Sequence, residues 1–159
     1  VPDVHSVIAG RGSYLPELQT QVDVEGVSDI VELPGYLGDT ELRNLLHRAG
    51  CVVIPSLYEP FGLVALEALA SGAPLIVART GGLAELVAGT QAAVTFEPGN
   101  PDDLAAAIEG VLTNPHLASV LVANALDLVE QKYAWDAIAR ITAELYDDVI
   151  SDSSDRPTG

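Results

Sequence analysis

Two glutamates with seven residues between them, Glu59 and Glu67, have the residue type and spacing to do chemistry. Both lie in the stretch Pro55-Ser-Leu-Tyr-Glu-Pro-Phe-Gly-Leu-Val-Ala-Leu-Glu-Ala-Leu-Ala-Ser-Gly-Ala-Pro74. A carboxylate accepts hydrogen bonds from sugar hydroxyls. The N–H groups of Phe61, Gly62, Leu63 and Val64 open a predicted helix, lack intrahelical partners and suit an anion such as a phosphate. Together the two sets fit a ligand with a phosphate and several hydroxyls. For Glu59 the alternative is a solvated loop position. For Glu67 it is a structural hydrogen bond. The residues around Glu67, from Leu63 to Ala70, are apolar, so its helix is expected to be buried. An unpaired carboxylate there would cost about 1–3 kcal/mol or more.

The elements that hold these groups can be read outward. Cys51 to Ile54 is a short β-branched run that predicts a buried strand. Pro55 and Pro60 keep the following loop extended, and Gly72 with Pro74 ends the helix. Upstream, His5 to Ala9 predicts a strand, Leu15 to Val24 a helix, Ile30 to Leu33 a strand, and Thr40 to Ala49 a helix capped by Asp39. Downstream, Leu75 to Ala78 and Ala93 to Phe96 predict strands around a short helix at Leu83 to Val87. Three helices follow: Pro101 to Thr113 behind an Asn100 cap, a second to Lys132, and a third over Trp135 to Ile150. The third carries a stripe of Trp135, Ile138, Ala139, Thr142, Leu145 and Val149, expected to pack into a core rather than to form a cofactor box.

Alternating strands and helices predict a parallel sheet covered on both faces. The expected organisation is one domain over 1–150 and a disordered polar tail over 151–159. Ligands of such sheets bind beyond the carboxyl ends of the strands. Four loops fall there: Gly10 to Ser13, Gly35 to Gly38, Ser56 to Gly62, and Arg79 to Gly82.

Composition narrows the function. At 159 residues and 48% apolar content, the chain can build a core. The net charge is −16 with seven dispersed Lys and Arg, which argues against nucleic acid and anionic membranes as partners. The single cysteine, Cys51, is expected to be an inert thiol, compatible with the cytoplasm, and no apolar run reaches spanning length. Gly10-x-Gly12 lacks the third glycine of a dinucleotide fingerprint, since Leu15 stands there, and reads as a tight turn. Gly81 and Gly82 can offer N–H groups to a phosphate or serve as a flexible turn. Tyr36 can pack beside a flat base or simply end a strand. His5, His47 and His116 show no metal-ligand spacing, so no metal is expected.

The segment Glu59-Pro-Phe-Gly-Leu-Val-Ala-Leu-Glu67 resembles the E-x7-E motif of retaining glycosyltransferases with the GT-B fold. Gly35-Tyr-Leu-Gly, Leu66-Glu-Ala-Leu-Ala-Ser-Gly-Ala-Pro, Gly81-Gly-Leu-Ala-Glu, Pro98-Gly-Asn-Pro and Trp135 extend the likeness over most of the chain. The wording around Glu59 is most similar to glycogen-synthase-like α-glucosyltransferases. The resemblance implies a Rossmann-like, doubly wound parallel sheet with C-terminal helices: the nucleotide-sugar-binding, C-terminal domain of a GT-B enzyme. It implies that Glu59, the catalytic-site carboxylate, contacts the transferred hexose. Glu67 would hold the ribose hydroxyls, and the N–H groups of Phe61, Gly62, Leu63 and Val64 would touch sugar hydroxyls and the distal phosphate. Tyr36 and Leu37 would border the base, with Gly81 and Gly82 also on the donor side. The implied donor is a nucleotide sugar, ADP-glucose or UDP-glucose, with no metal or other cofactor.

Two family features are not found in this sequence. The acceptor-binding N-terminal domain is missing. So is the first strand of the C-terminal domain, with its Arg- and Lys-bearing loop, which Arg11 and Arg79 do not replace. Without that strand, strand exchange or a homodimer are ways to complete the sheet, and the chain alone is expected to be inactive. Three readings follow: a donor-binding part of an enzyme, a non-catalytic nucleotide- or phosphosugar-binding module, and a structural domain with a vestigial site.

Overall fold

The computed structural model describes residues 4–154. Parallel strands alternate with helices as far as Phe96 and helices follow from Pro101, in two compact units, Val1–Gly50 and Cys51–Gly159.

In the first unit β1 (Ser6–Ala9) and β2 (Val31–Gly35) pair in parallel, with α1 (Leu15–Val24) between them and α2 (Asp39–Arg48) after β2. Ser6 lies opposite Val31 and Ala9 opposite Gly35, with a break in register between Val7 and Ala9. Pro34 falls in that part of β2 and has no N–H to add to the ladder. Strand β1 is exposed along its whole length, Val7 and Ile8 included, although parallel strands are ordinarily covered on both faces. The cap of α2 is Gly38 rather than Asp39: its N–H donates to Glu41 Oε2 at 3.1 Å, and Asp39 is the first helical residue. The Glu41 carboxylate, three residues in, satisfies the cap's own N–H, which is one half of a capping box; the other half needs a side-chain acceptor that glycine lacks.

In the second unit β3 (Val52–Ile54), β4 (Leu75–Ala78) and β5 (Ala93–Phe96) form one parallel sheet in that order. All four residues of β4 are fully buried. Ile76 and Ala78 join Phe96, Val111 and Leu121 in a cluster with α5 (Pro101–Leu112) and α6 (Pro115–Leu128). Leu75 and Val77 point to the other face by strand alternation, and α3 (Leu63–Ser71) and α4 (Gly81–Val87) also pack on β4. A buried Leu or Ile contributes roughly 1.5–3 kcal/mol, so this sheet is the stable part of the unit. Asn100 caps α5 by accepting from the N–H groups of Asp102 and Asp103, both at 3.1 Å.

The expected helix to Lys132 ends as α-helix at Leu128 and continues as a π-helical turn over Val129–Tyr133. Helix α7 then runs Trp135–Ser154. It extends past Ile150 into the expected tail, whose residues 155–159 lie outside the described ones. Its apolar stripe is not a core: Ala137 is the residue it buries, whereas Trp135 is 84% exposed and Leu145 and Val149 stand open to solvent. The periodicity shows that the helix is amphipathic, and the described residues supply no surface for that face. No single described helix is long and apolar enough to cross a membrane. Cys51 is half-buried, and burial pushes its thiol pKa upward.

Candidate functional site

Each candidate residue sits at the carboxyl end of a parallel strand or on the helix that follows. In the first unit, Gly35 leaves β2 with φ +77°, a value that favours glycine. Tyr36 follows and is largely exposed, while Leu37 is half-buried. The Arg11 guanidinium, from the loop after β1, lies 4.9 Å from the centroid of the Tyr36 ring. That contact is worth about 0.5–1 kcal/mol at an exposed site. Gly10, with φ +152°, leads into this loop, and the turn itself falls at Ser13 and Tyr14, just before α1.

In the second unit, β3 ends at Ile54 and an irregular loop leads to Gly62, the cap of α3, with φ +68°. The carboxylate of Glu59 turns back on this loop. Its Oε1 accepts from the N–H of Gly62 at 3.0 Å and of Phe61 at 3.4 Å. Two of the four expected anion donors are therefore engaged by Glu59 itself. Leu63 and Val64 occupy the first turn of α3, whose ladder opens with the Leu66 N–H on the Gly62 carbonyl. Their N–H groups precede that first bond and remain free of it.

The setting of Glu67 differs from the buried one its neighbours suggest. Helix α3 buries Ala65, Ala68 and Leu69. Leu63, Val64 and Glu67 lie on its exposed side. Three small or branched side chains at helical spacing suffice to seat the helix, so the remaining apolar residues stay outside. Glu67 carries no burial penalty and is free to accept hydrogen bonds.

The loop after β4 meets the Glu59 loop directly. Thr80 Oγ1 donates to the Ser56 carbonyl at 3.0 Å, and the Gly82 N–H donates to the Glu59 carbonyl at 3.2 Å. A Cβ on Gly82 would come within 2.7 Å of the Pro60 oxygen and 2.9 Å of the Glu59 oxygen. The Gly82 donor is thus committed to backbone. Sequence reasoning did not single out Thr80 or Ser56; a threonine just before a Gly-Gly pair at a strand end is the signal that was there. Arg79, next to them, faces Glu97 at 3.8 Å across an exposed ion pair. Among the described residues no group of three or more His, Cys, Asp or Glu is arranged to hold a metal ion.

A carboxylate held on the N–H groups that lead into a helix, at the carboxyl end of a parallel sheet, is suited to binding hydroxyls beside an anion. Comparison with known proteins gives the lineage. The family profile described as glycosyl transferases group 1 matches residues 1–127. The chain belongs to that family. It is 41% identical over 143 residues to an uncharacterised glycosyltransferase of Methanocaldococcus jannaschii, covering 88% of this chain and 36% of that protein. It is 40% identical over 145 residues to a glycogen synthase of Mycobacterium tuberculosis, covering 91% of this chain and 35% of that one. Among solved structures, sucrose-phosphate synthase from Thermosynechococcus elongatus superposes with a TM-score of 0.75 at 31% identity, over 92% of this chain and 38% of that one. Anabaena HepE in complex with UDP superposes with a TM-score of 0.82 at 26% identity, over 93% of this chain and 42% of that one. The group 1 glycosyltransferase chain described here thus spans about a third of the length of the curated relatives it matches. The lineage supports a Rossmann-like domain of the GT-B type.

Proposed function

We propose that this chain is the donor-binding domain of a retaining glycosyltransferase that moves a hexose from a nucleotide sugar to an acceptor such as a glucan. Glucose from an ADP or UDP donor is the favoured substrate. The observation that carries the reading is Glu59, fixed by its Oε1 on the N–H groups of Phe61 and Gly62 at the carboxyl end of β3. Its second oxygen is left to accept from the hexose hydroxyls. Glu67, exposed on the next turns of α3, accepts from the ribose. The Leu63 and Val64 N–H groups serve the distal phosphate, with Gly81 also on the donor side. Fixed backbone dipoles offset the diphosphate charge without a metal. The names of the relatives, a glycogen synthase and a protein crystallised with UDP, support a nucleotide donor and a glucan-type acceptor. In this reading the acceptor is held by a separate domain, the reaction is cytoplasmic, and this chain alone turns over little donor.

The test is a transfer assay on the full-length protein with α-linked ADP-glucose or UDP-glucose and a maltooligosaccharide. The product linkage is read by proton NMR. An α-linkage supports retention, and a β-linkage or simple donor hydrolysis contradicts it.

A further inference from the structure

The loop that carries Glu59 has no regular structure of its own. Beyond the sheet ladder, two hydrogen bonds reach it from elsewhere among the described residues: Thr80 Oγ1 to the Ser56 carbonyl and the Gly82 N–H to the Glu59 carbonyl. Both come from one three-residue segment, and they grip the loop near its start and at Glu59 itself. The fit is close. Gly82 lies so near the Glu59–Pro60 backbone that a methyl group there would overlap the Pro60 and Glu59 oxygens, at 2.7 and 2.9 Å. These are backbone atoms next to a proline and cannot move aside as a flexible side chain would. Gly81 approaches the same carbonyl, its Cβ position lying 3.6 Å from the Glu59 oxygen, and has φ +33°.

We propose that Thr80 and Gly82 are positioning residues: they set where Glu59 stands and so where the hexose is held. The inference rests on the reading of Glu59 as the hexose-contacting carboxylate. It assigns Gly82 a role other than phosphate binding, because its N–H is already committed. The Glu59 carboxylate sits at the end of a short relay. Gly82 fixes the Glu59 carbonyl, Pro60 stiffens the next link, and Oε1 closes back on Gly62 at 3.0 Å and Phe61 at 3.4 Å. A displacement of the Glu59 backbone opens that closure before it disturbs the sheet.

Two measurements test this. On the chain itself, amide hydrogen exchange reports the closure directly. Gly82→Ala is expected to remove protection of the Gly62 amide while the amides of β4 keep theirs. Thr80→Val, which preserves shape and removes the hydroxyl donor, is expected to weaken it in the same direction, and Thr80→Ser to restore it. In the full-length protein, Gly82→Ala is expected to lower kcat by about 10- to 100-fold with donor KM changed by less than about threefold, as for a misplaced reacting group. Added to Glu59→Ala it is expected to cost no more than about a further twofold, because nothing remains to be positioned. Unchanged Gly62 protection in both Gly82→Ala and Thr80→Val overturns the proposal, as does a kcat loss that multiplies fully with that of Glu59→Ala. If Glu59→Ala leaves transfer intact, the catalytic reading of Glu59 fails by itself, and amide exchange still decides whether the clamp exists.

Discussion

Replacing Glu59 by alanine separates two kinds of carboxylate. One strained into a site for chemistry alone destabilises the fold, and its removal raises stability. Glu59 is instead bonded to the opening of α3, at 3.0 Å to the Gly62 N–H and 3.4 Å to the Phe61 N–H. Loss of a hydrogen-bond acceptor costs about 0.5–1.5 kcal/mol net, and loss of a negative charge at a helix N-terminus about 0.3–1 kcal/mol. The second N–H bond is long and the residue only half-buried, so a total of about 1 kcal/mol is expected. Glu59→Gln keeps an acceptor oxygen and loses the charge, so about half that loss is expected. Unfolding followed by far-UV circular dichroism suits the measurement, since Trp135 is exposed and its fluorescence reports α7 rather than the sheet. For a unit of this size 1 kcal/mol corresponds to roughly 4–8 °C in Tm. An unchanged or raised Tm for Glu59→Ala would refute the reasoning that ties Glu59 to the helix.

Two further outcomes follow from burial. Leu145→Ser on the exposed face of α7 is expected to change the stability of this chain by less than about 0.5 kcal/mol, whereas Ile76→Ala in the sheet is expected to cost about 2–5 kcal/mol; urea midpoints check both. Burial raises the Cys51 pKa above its ordinary value of 9.0, so the folded state holds the thiol proton more tightly than the unfolded state. Stability from this group is full below the unfolded pKa and falls as pH rises through the folded one. Its thiolate fraction near about pH 8 is correspondingly small. Iodoacetamide is expected to label Cys51 several-fold more slowly in the native chain than in urea, read by mass spectrometry.

Much of the fold was legible because its signals are local. The β-branched runs at Leu75–Ala78 and Ala93–Phe96 became strands with those bounds, and Leu15–Val24 a helix with those bounds. Glycine and proline punctuation marked the loops on the strand ends, where Glu59 sits. What failed to show was tertiary. The stripe on α7 is real as a pattern, yet a pattern says that a face is apolar and not that anything covers it. Glu67 looked buried because its neighbours are apolar, but α3 is seated by Ala65, Ala68 and Leu69 and leaves Glu67 outside. The choice at Gly82 between a phosphate donor and a turn depended on a contact with Glu59, 23 residues away in sequence, that no local rule encodes.

The central claim, that Glu67 holds the donor's ribose, is tested most directly by calorimetric titration of the full-length protein and its Glu67→Ala variant. The ligands are UDP, ADP, GDP and their glucose or mannose conjugates. A carboxylate accepting from sugar hydroxyls is worth about 1.5–3 kcal/mol, so selective binding of one nucleotide that weakens roughly 10- to 100-fold in Glu67→Ala, with Tm unchanged, is the expected result. Equal affinity in the two proteins, or no binding of any of these nucleotides, would contradict it.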